Sequence, residues 1–160
     1  MSKLSVRPAR LPDDEPAILA FIEALQSYEA AFEANRRQDE TFAREHWSVL
    51  KERAAARNGV VLIAERDDVP VGWACAYDDD GEVFMALPER RHGFLAEMFV
   101  APEARGEGHG RALIGAVEAW ARERGHKVMM IGVLAGNARA IRAYEGAGYA
   151  PYGLTVRKYL

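Results

Sequence analysis

The stretch that most constrains this chain is a strand that runs into a glycine-rich loop and from there directly into a helix. It reads Phe99-Val100-Ala101-Pro102-Glu103-Ala104-Arg105-Gly106-Glu107-Gly108-His109-Gly110-Arg111-Ala112-Leu113. Apolar Phe94–Val100 has the character of a strand, and Pro102 marks a short turn after it. Glycines at 106, 108 and 110 remove Cβ atoms, so the backbone can curl tightly and come close to a ligand. N–H groups that converge in such a loop suit an anion. The start of the helix adds unpaired N–H groups and a partial positive charge, and Arg105 adds a full one. Together these features describe a pyrophosphate site. Two familiar phosphate motifs are excluded: no lysine follows the glycines as a P-loop requires, and the spacing is G-x-G-x-G rather than the G-x-G-x-x-G of a dinucleotide fold. A loop that merely opens a helix is the plainer alternative.

The rest of the composition makes such a site a local device. The chain has 160 residues, enough for one domain with one continuous core, and residues 1–160 are read as a single domain. With 21 basic and 24 acidic residues the formal net charge is −3, so no general basic field draws in anions and nucleic acid is not expected as a partner. Cys75 is the only cysteine, which excludes an intramolecular disulfide. It lies in the apolar run Val71–Tyr77 and is expected to pack, consistent with a cytoplasmic chain. Met1–Arg10 lacks the apolar segment of a secretory signal. No apolar run approaches the roughly 20 residues that span a membrane. His46, His92, His109 and His126 are scattered without metal-ligand spacing, so no metal is expected.

Periodicity supplies the element order. Lys3–Arg7 alternates as a strand. Asp13 or Asp14 offers a cap for a helix that carries Ile18, Phe21, Ile22, Leu25, Tyr28 and Phe32 on one face to about Glu33. A polar loop over Ala34–Thr41 leads to a second helix, Phe42–Arg57, with Ala43, Trp47, Leu50 and Ala54 aligned. Val60–Arg66 and Val71–Tyr77 read as a hairpin across Asp67–Pro70. Asp78–Gly81 reads as an acidic turn, Glu82–Leu87 as a short strand and Phe94–Val100 as a stronger one. A third helix runs from about Gly108 to Arg124, and Val128–Val133 reads as a strand buried on both faces. A fourth helix begins near Asn137 and stops before Gly146 or Gly148. Tyr149–Tyr152 and Leu154–Lys158 read as a closing strand pair. The order β-α-α-β-β-β-α-β-α-β-β points to an α/β chain with a mixed sheet and helices on both faces.

Two separated segments carry a resemblance to a known family. Val100-x-Pro102-x-x-Arg105-Gly106-x-Gly108-x-Gly110-x-x-Leu113 resembles the acyl-coenzyme A signature of the GNAT superfamily of N-acetyltransferases. Asn137-Ala138-x-Ala140-x-x-x-Tyr144-x-x-x-Gly148-Tyr149 resembles its second signature, in the expected order and place. The resemblance covers nearly the whole chain. It implies a central, mostly antiparallel twisted sheet of six to seven strands flanked by about four helices, and acetyl-coenzyme A as co-substrate without a metal. It also implies roles. Backbone groups of Met98, Phe99 and Val100 would pair with the pantetheine arm, and N–H groups of Arg105, Gly106, Glu107, Gly108, His109, Gly110 and Arg111 would surround the pyrophosphate. Asn137 would hydrogen-bond the arm, and Tyr144 would sit beside the thioester sulfur. A phenol there suits donation of a proton or a hydrogen bond to a departing thiolate; a core tyrosine in phase with Ile141 is the alternative. His109 stands where the family often has an aliphatic residue and is expected to face solvent.

A base is less plainly marked. Glu97 is the lone carboxylate of the run Phe94–Val100; strand alternation sets it with Phe99 on one face and Ala96 with Met98 on the other. It is read either as the group that takes the proton of the attacking amine or as a structural carboxylate. The resemblance places the acceptor between the first two helices and the last strand pair, near Tyr28, Phe32, Asn35, Arg36, Arg37, Tyr149 and Tyr152. The acidic run Asp78–Glu82 is a possible lure for a cationic acceptor, though such runs are usually just solvated. Transfer to a small-molecule amine is the leading reading. Protein N-terminal or lysine acetylation and a non-catalytic acyl-coenzyme A sensor are the alternatives, and a homodimer is left open.

Overall fold

The computed structural model describes residues 2–160. In chain order the elements are β1 (Leu4–Pro8), α1 (Glu15–Glu29), α2 (Phe42–Ala56), β2 (Val60–Arg66), β3 (Val69–Asp80), a four-residue α3 (Leu87–Arg90), β4 (Arg91–Val100), a 3-10 turn (Pro102–Ala104), α4 (His109–Glu123), β5 (Met129–Ile131) and α5 (Ala138–Gly146). The strands form one sheet in the order β1-β2-β3-β4-β5. The first three pairings are antiparallel and the last is parallel. Helices cover both faces. On one face Ile18 and Ile22 of α1 and Trp47 and Leu50 of α2 pack against Ile63, Trp73, Cys75 and Phe99, with the Trp47 and Trp73 rings edge-on at 5.8 Å. On the other, Leu113, Ile114 and Val117 of α4 and Tyr144 of α5 pack against Leu62, Ala74, Ala76 and Leu95. Cys75 is fully buried, as its apolar run implied, and burial raises its thiol to about 12.

Local chemistry accounts for most boundaries. The β2–β3 hairpin turns on Asp67 and Asp68 alone, both with positive φ (52° and 64°), which fits the right-handed twist of a two-residue turn. The strands therefore reach Arg66 and Val69, closer to the turn than the expected link Asp67–Pro70. Asp14 is the N-cap residue of α1, but its carboxylate caps nothing in the helix. It accepts hydrogen bonds from both terminal nitrogens of Arg7 and from the Arg10 N–H, and so ties β1 to the start of α1. Helix α1 ends at Glu29, four residues before the end expected from its apolar face, and the chain folds back so that Arg36 lies 3.4 Å from Glu29.

Four expectations fail. Asp78–Gly81 is no acidic turn: β3 continues to Asp80, and Asp78 is 5% exposed. Arg124 donates to both of its oxygens at 2.9 Å, and Arg91, Asn58 and His126 complete the set, so this charge is consumed inside the protein. Asp79 pairs with Arg57, so the first two carboxylates of the run are not free to attract a cationic acceptor. Glu82–Leu87 forms no strand. Val83 and Phe84 are adjacent apolar residues rather than alternating ones, both are about four-fifths exposed, and Pro88 opens α3 beyond them. Tyr149–Leu160 has no regular structure, so the sheet has five strands and not six to seven. In that segment Pro151 lacks an N–H for a ladder and Gly153 lacks a side chain to pack, and Leu154 and Val156 stay exposed. Finally, β5 is only partly buried, because it has β4 on one side and no strand on the other.

The sheet opens on one side. Strand β4 pairs with β3 along its whole length, but with β5 only over Gly93–Leu95 opposite Met129–Ile131. Beyond Leu95 the two parallel strands part, and the edge of β4 from Ala96 to Val100 has no strand partner on the β5 side. The Asp78 cluster sits at the closed end of this fork, where it joins the end of β3 to the start of β4 and to the segment between α4 and β5.

The cations around Asp78, Arg124 first, hold its carboxyl far below the usual carboxylate range. A depressed folded-state value contributes stability that is full above the unfolded value, about 3.9, and is lost as the pH falls below it. Asp78→Asn is expected to lower unfolding stability by about 2 kcal/mol at pH 7, because it removes the buried anion that several partly exposed cations share. Urea denaturation should show the gap between variant and parent closing as the pH drops below about 4.

Candidate active site

The glycine loop departs from the end of β4 as the sequence implied. Gly106 and Gly108 have φ of 81° and 94°, where any other residue would be strained, whereas Gly110 has an ordinary helical conformation. Gly108 is the N-cap of α4, and the first turn closes with the Ala112 N–H donating to the Gly108 carbonyl at 2.9 Å. The backbone N–H groups from Gly106 to Arg111 are therefore left without acceptors among the described residues. Six successive amides of this kind, at the positive end of a helix, are the sort of groups that suit an anion.

His109 does not face solvent. It is 2% exposed, and its Nδ1 donates to the Ala104 carbonyl at 3.1 Å, which props the 3-10 turn against the start of α4. A side chain that stands first in a helix next to two flexible glycines looks solvent-facing in sequence, but the preceding turn folds over it. Glu107 turns outward to Arg66 at 3.1 Å. Arg105 is less free than a lone cation in a loop: its Nε donates to the Val100 carbonyl at 2.9 Å, and its guanidinium lies 5.5 Å from the Phe99 ring and 5.9 Å from the Tyr28 ring. Burial, then Arg139, pushes its value below the usual arginine range.

Two cavities meet beside the open edge of β4. The larger, about 520 Å³, holds the glycine loop, Arg105, Arg111, Tyr28 and the edge of β4 from Met98 to Val100. It also holds Arg139, a residue the sequence reading missed, whose guanidinium lies 4.6 Å from the Tyr28 ring. None of these three arginines has a carboxylate within ion-pair distance among the described residues, unlike Arg66, Arg91 or Arg124. The smaller cavity, about 340 Å³, lies between α1, α2 and β4 and is lined by Gln26, Glu29, Arg36, Phe42, His46 and Glu97 among others. Met98, Asn137, Ala140 and Tyr144 line both.

Asn137 and Tyr144, seven positions apart on α5, mark the junction of the cavities. Asn137 is the helix cap, and its Oδ1 accepts from the Ala140 N–H at 3.1 Å. An amide N–H can only donate to oxygen, so this bond fixes the orientation of the side chain and leaves its NH₂ to donate elsewhere. Tyr144 is 9% exposed, and its ring lies 6.1 Å from that of Tyr149. Burial raises its phenol to about 12.

Glu97 owes its position to an irregularity in β4. The register passes from Cys75 opposite Glu97 to Ala76 opposite Leu95, so Ala96 is an extra residue, a bulge. Strict alternation is broken: Ala96 packs on the α1–α2 side, not with Met98, which packs on the other. Glu97, opposite inward-facing Cys75, is carried to the α1–α2 side as well. There it contacts His46 Nε2, and the His46 ring stacks on Phe42 at 5.3 Å. His46 had no motif to mark it, and its only sequence signal was its place beside Trp47 on the inner side of α2. Glu29, near the end of α1, is a third residue that no sequence motif marked. Burial raises its carboxyl, Glu97 adds to the rise, and Arg36 opposes it. Of the acceptor-region residues expected from sequence, Arg36 lines the smaller cavity and Tyr28 the larger. Arg37 is engaged elsewhere by Asp39, Glu45 and Thr41, and Tyr152 is exposed.

The sequence profile described as the acetyltransferase (GNAT) family matches residues 21–149, which span both cavities. The chain belongs to the GNAT family. It is an acyltransferase by class. A Bacillus subtilis relative, the uncharacterised N-acetyltransferase YhfO, is 31% identical over 100 residues, or 62% of this chain and 64% of that one. Among solved structures, a mutant of the BH1408 protein of Bacillus halodurans superposes with a TM-score of 0.84 over 98% of this chain and 99% of that one, at 15% identity, a likeness of fold. The yncA protein of Salmonella typhimurium, solved with acetyl-CoA as its cofactor, is 26% identical with a TM-score of 0.66 over 92% of this chain and 79% of that one. The five-stranded mixed sheet of this GNAT chain fits that family, although two of the strands expected from the resemblance are not formed. No helix among the described residues is long and apolar enough to cross a membrane, and no group of potential metal ligands occurs among them.

A phenol raised to about 12 stays protonated across the neutral and mildly alkaline range. Ultraviolet titration of the parent and Tyr144→Phe is expected to give the same phenolate signal up to about pH 10.5 and to diverge only above it.

Proposed function

We propose that the chain moves the acetyl group of acetyl-coenzyme A to the primary amine of a small molecule by direct attack on the thioester. The observation that carries this reading is the free edge of β4 from Ala96 to Val100, which runs from the amide cradle at residues 106–111 to the junction at Tyr144. A polyanionic head and an amide-bearing arm need these two surfaces in that order. The head fits the free amides together with Arg105, Arg111 and Arg139, which have no acidic partners. The arm would use backbone groups of Met98 and Phe99 and the free NH₂ of Asn137. The Val100 carbonyl is already held by Arg105 and serves the loop instead. Residues 1–160 would act as one catalytic domain.

Acetyl-coenzyme A brings an activated acyl group and a thiolate leaving group. One ammonium proton passes to Glu97 directly or through water, the freed amine nitrogen forms the new C–N bond as the C–S bond breaks, its second proton passes to solvent, and the sulfur leaves as thiolate. His46 contacts Glu97 and would orient it and help it release the proton it gains. Tyr144 then serves as a hydrogen-bond donor rather than a full acid. Its phenol lies near 12 and a thiol near 8.5, so complete transfer would run about 5 kcal/mol uphill, whereas a hydrogen bond to the developing thiolate carries no such cost. The smaller cavity, about 340 Å³ and lined in part by α1, α2 and β4, is of a size that suits a compact acceptor.

Calorimetric titration with acetyl-coenzyme A and a thiol-release assay over an amine panel test this reading. Saturable binding followed by amine-dependent release is expected, and a protein that ignores acetyl-coenzyme A would refute it. Glu97→Gln and Tyr144→Phe are expected to lower kcat about 100-fold each, with affinity for acetyl-coenzyme A changed less than about three-fold. Turnover equal to the parent's in both variants would remove these residues from the chemistry.

A further inference from the structure

The lining of the smaller cavity carries charges of both signs. Glu97 is engaged by His46. Arg36 is less completely bonded, because its Nε is buried without a hydrogen-bond partner among the described residues. Its one ionic neighbour is Glu29, with Nε 3.4 Å from Oε2, too far and too poorly aligned for a hydrogen bond. The next residue shows what a satisfied arginine looks like in this protein. Arg37 donates to Asp39 at 2.8 Å through two nitrogens, to Glu45 at 2.7 Å and to Thr41 at 3.1 Å. Leaving a guanidinium nitrogen unbonded is costly, and the part of the guanidinium that stays accessible in the cavity lining is open to an acceptor of matching shape.

We infer that the acceptor carries its own carboxylate beside the amine, as a free amino acid does, with Arg36 receiving the carboxylate and the amine lying toward Glu97 under Tyr144. The inference rests on the acetyl-transfer reading and narrows its substrate class. Charge balance supports it. A polycationic acceptor would set one of its ammonium groups against Arg36, and an amine without an anion would leave Arg36 with Glu29 as its one ionic neighbour among the described residues. A zwitterion matches both signs in the lining. Glu29 already neighbours Arg36, so an incoming carboxylate would share the guanidinium with it. A volume of about 340 Å³ is near the lower end of small-ligand sites, which run to roughly 1,000 Å³, and this limits the acceptor to a compact one.

The test compares each of a set of free amino acids with its own carboxamide. The amide removes the negative charge, keeps the side chain, and leaves its amine the less protonated of the two, so a slower amide does not reflect a shortage of free amine. The parent is expected to give kcat/KM at least ten-fold higher for acids than for amides. Arg36→Gln is expected to shrink that ratio at least ten-fold, and Arg36→Lys, which keeps the charge but not the planar fork, is expected to fall between. Calorimetry with acetyl-coenzyme A should give the parent's affinity in both variants. Ligand-observed NMR with the protein alone provides a readout independent of turnover: amino acids should show saturation transfer to the parent and lose it in Arg36→Gln, while their amides show little to either. Equal use of acids and amides, a preference for amides or polyamines, or an unchanged ratio in Arg36→Gln with acetyl-coenzyme A affinity intact would overturn the carboxylate assignment and leave acetyl transfer standing. Loss of acetyl-coenzyme A binding in the parent itself would bring down the wider reading and this one with it.

Discussion

The parting of β4 from β5 is the constraint on which the site depends. Two parallel strands that stayed paired would consume the backbone groups of β4 in a ladder and close the space between them. Here the pairing lasts only from Gly93 to Leu95, and the next residue, Ala96, is a bulge that swings Glu97 to the α1–α2 side. A bulge bends its strand and raises the local twist, which helps the edge lead away from its neighbour. The Asp78 cluster holds the closed end of the fork with a buried carboxylate that several cations share. One end of the sheet is thus locked by charge and the other is left open, and both cavities are built at the open end.

Charge follows the same division. The chain is slightly acidic as a whole, yet its larger cavity has Arg105, Arg111 and Arg139 without carboxylate partners among the described residues, and the glycine loop beside them leaves a run of backbone amides without acceptors there. Elsewhere arginines are paired closely: Arg7 with Asp14 and Glu65, Arg37 with Asp39 and Glu45, Arg124 with Asp78. Unpaired cations that line a concavity point to an anion taken from outside the chain. The smaller cavity differs in having both signs, with Glu29, Glu97, Arg36 and His46 in its lining.

Much of the fold was legible because local rules and tertiary packing agree. The helical stripes of α1 and α2, the β2–β3 hairpin and the strand, turn, glycine loop and helix around residue 105 stand close to where periodicity and turn chemistry place them. The failures share a physical origin. Asp78 looked like a turn residue because three aspartates in a row suggest water, and only Arg91, Arg124 and His126, brought in from β4 and from the end of α4, make burial affordable. His109 looked exposed until the 3-10 turn closed over it. Tyr149–Leu160 alternates like a strand, but alternation states only that a segment could pair, not that an edge receives it.

The sequence by itself determined what depends on neighbours along the chain: glycines at 106 and 108 that accept positive φ, the run of free amides that follows from a helix start, the Asn137 cap, and Tyr144 seven residues beyond it on the same helix. Tertiary structure alone decided which distant groups meet. Glu97 and His46 lie 51 positions apart, and no local pattern couples them. Arg139 came to the larger cavity because α5 lies beside Tyr28 of α1, and Arg36 faces Glu29 because α1 stops early and the chain turns back. Contacts of this kind are set by how helices pack across a sheet and where a strand bulges, and neither is written in the spacing of the residues that end up touching.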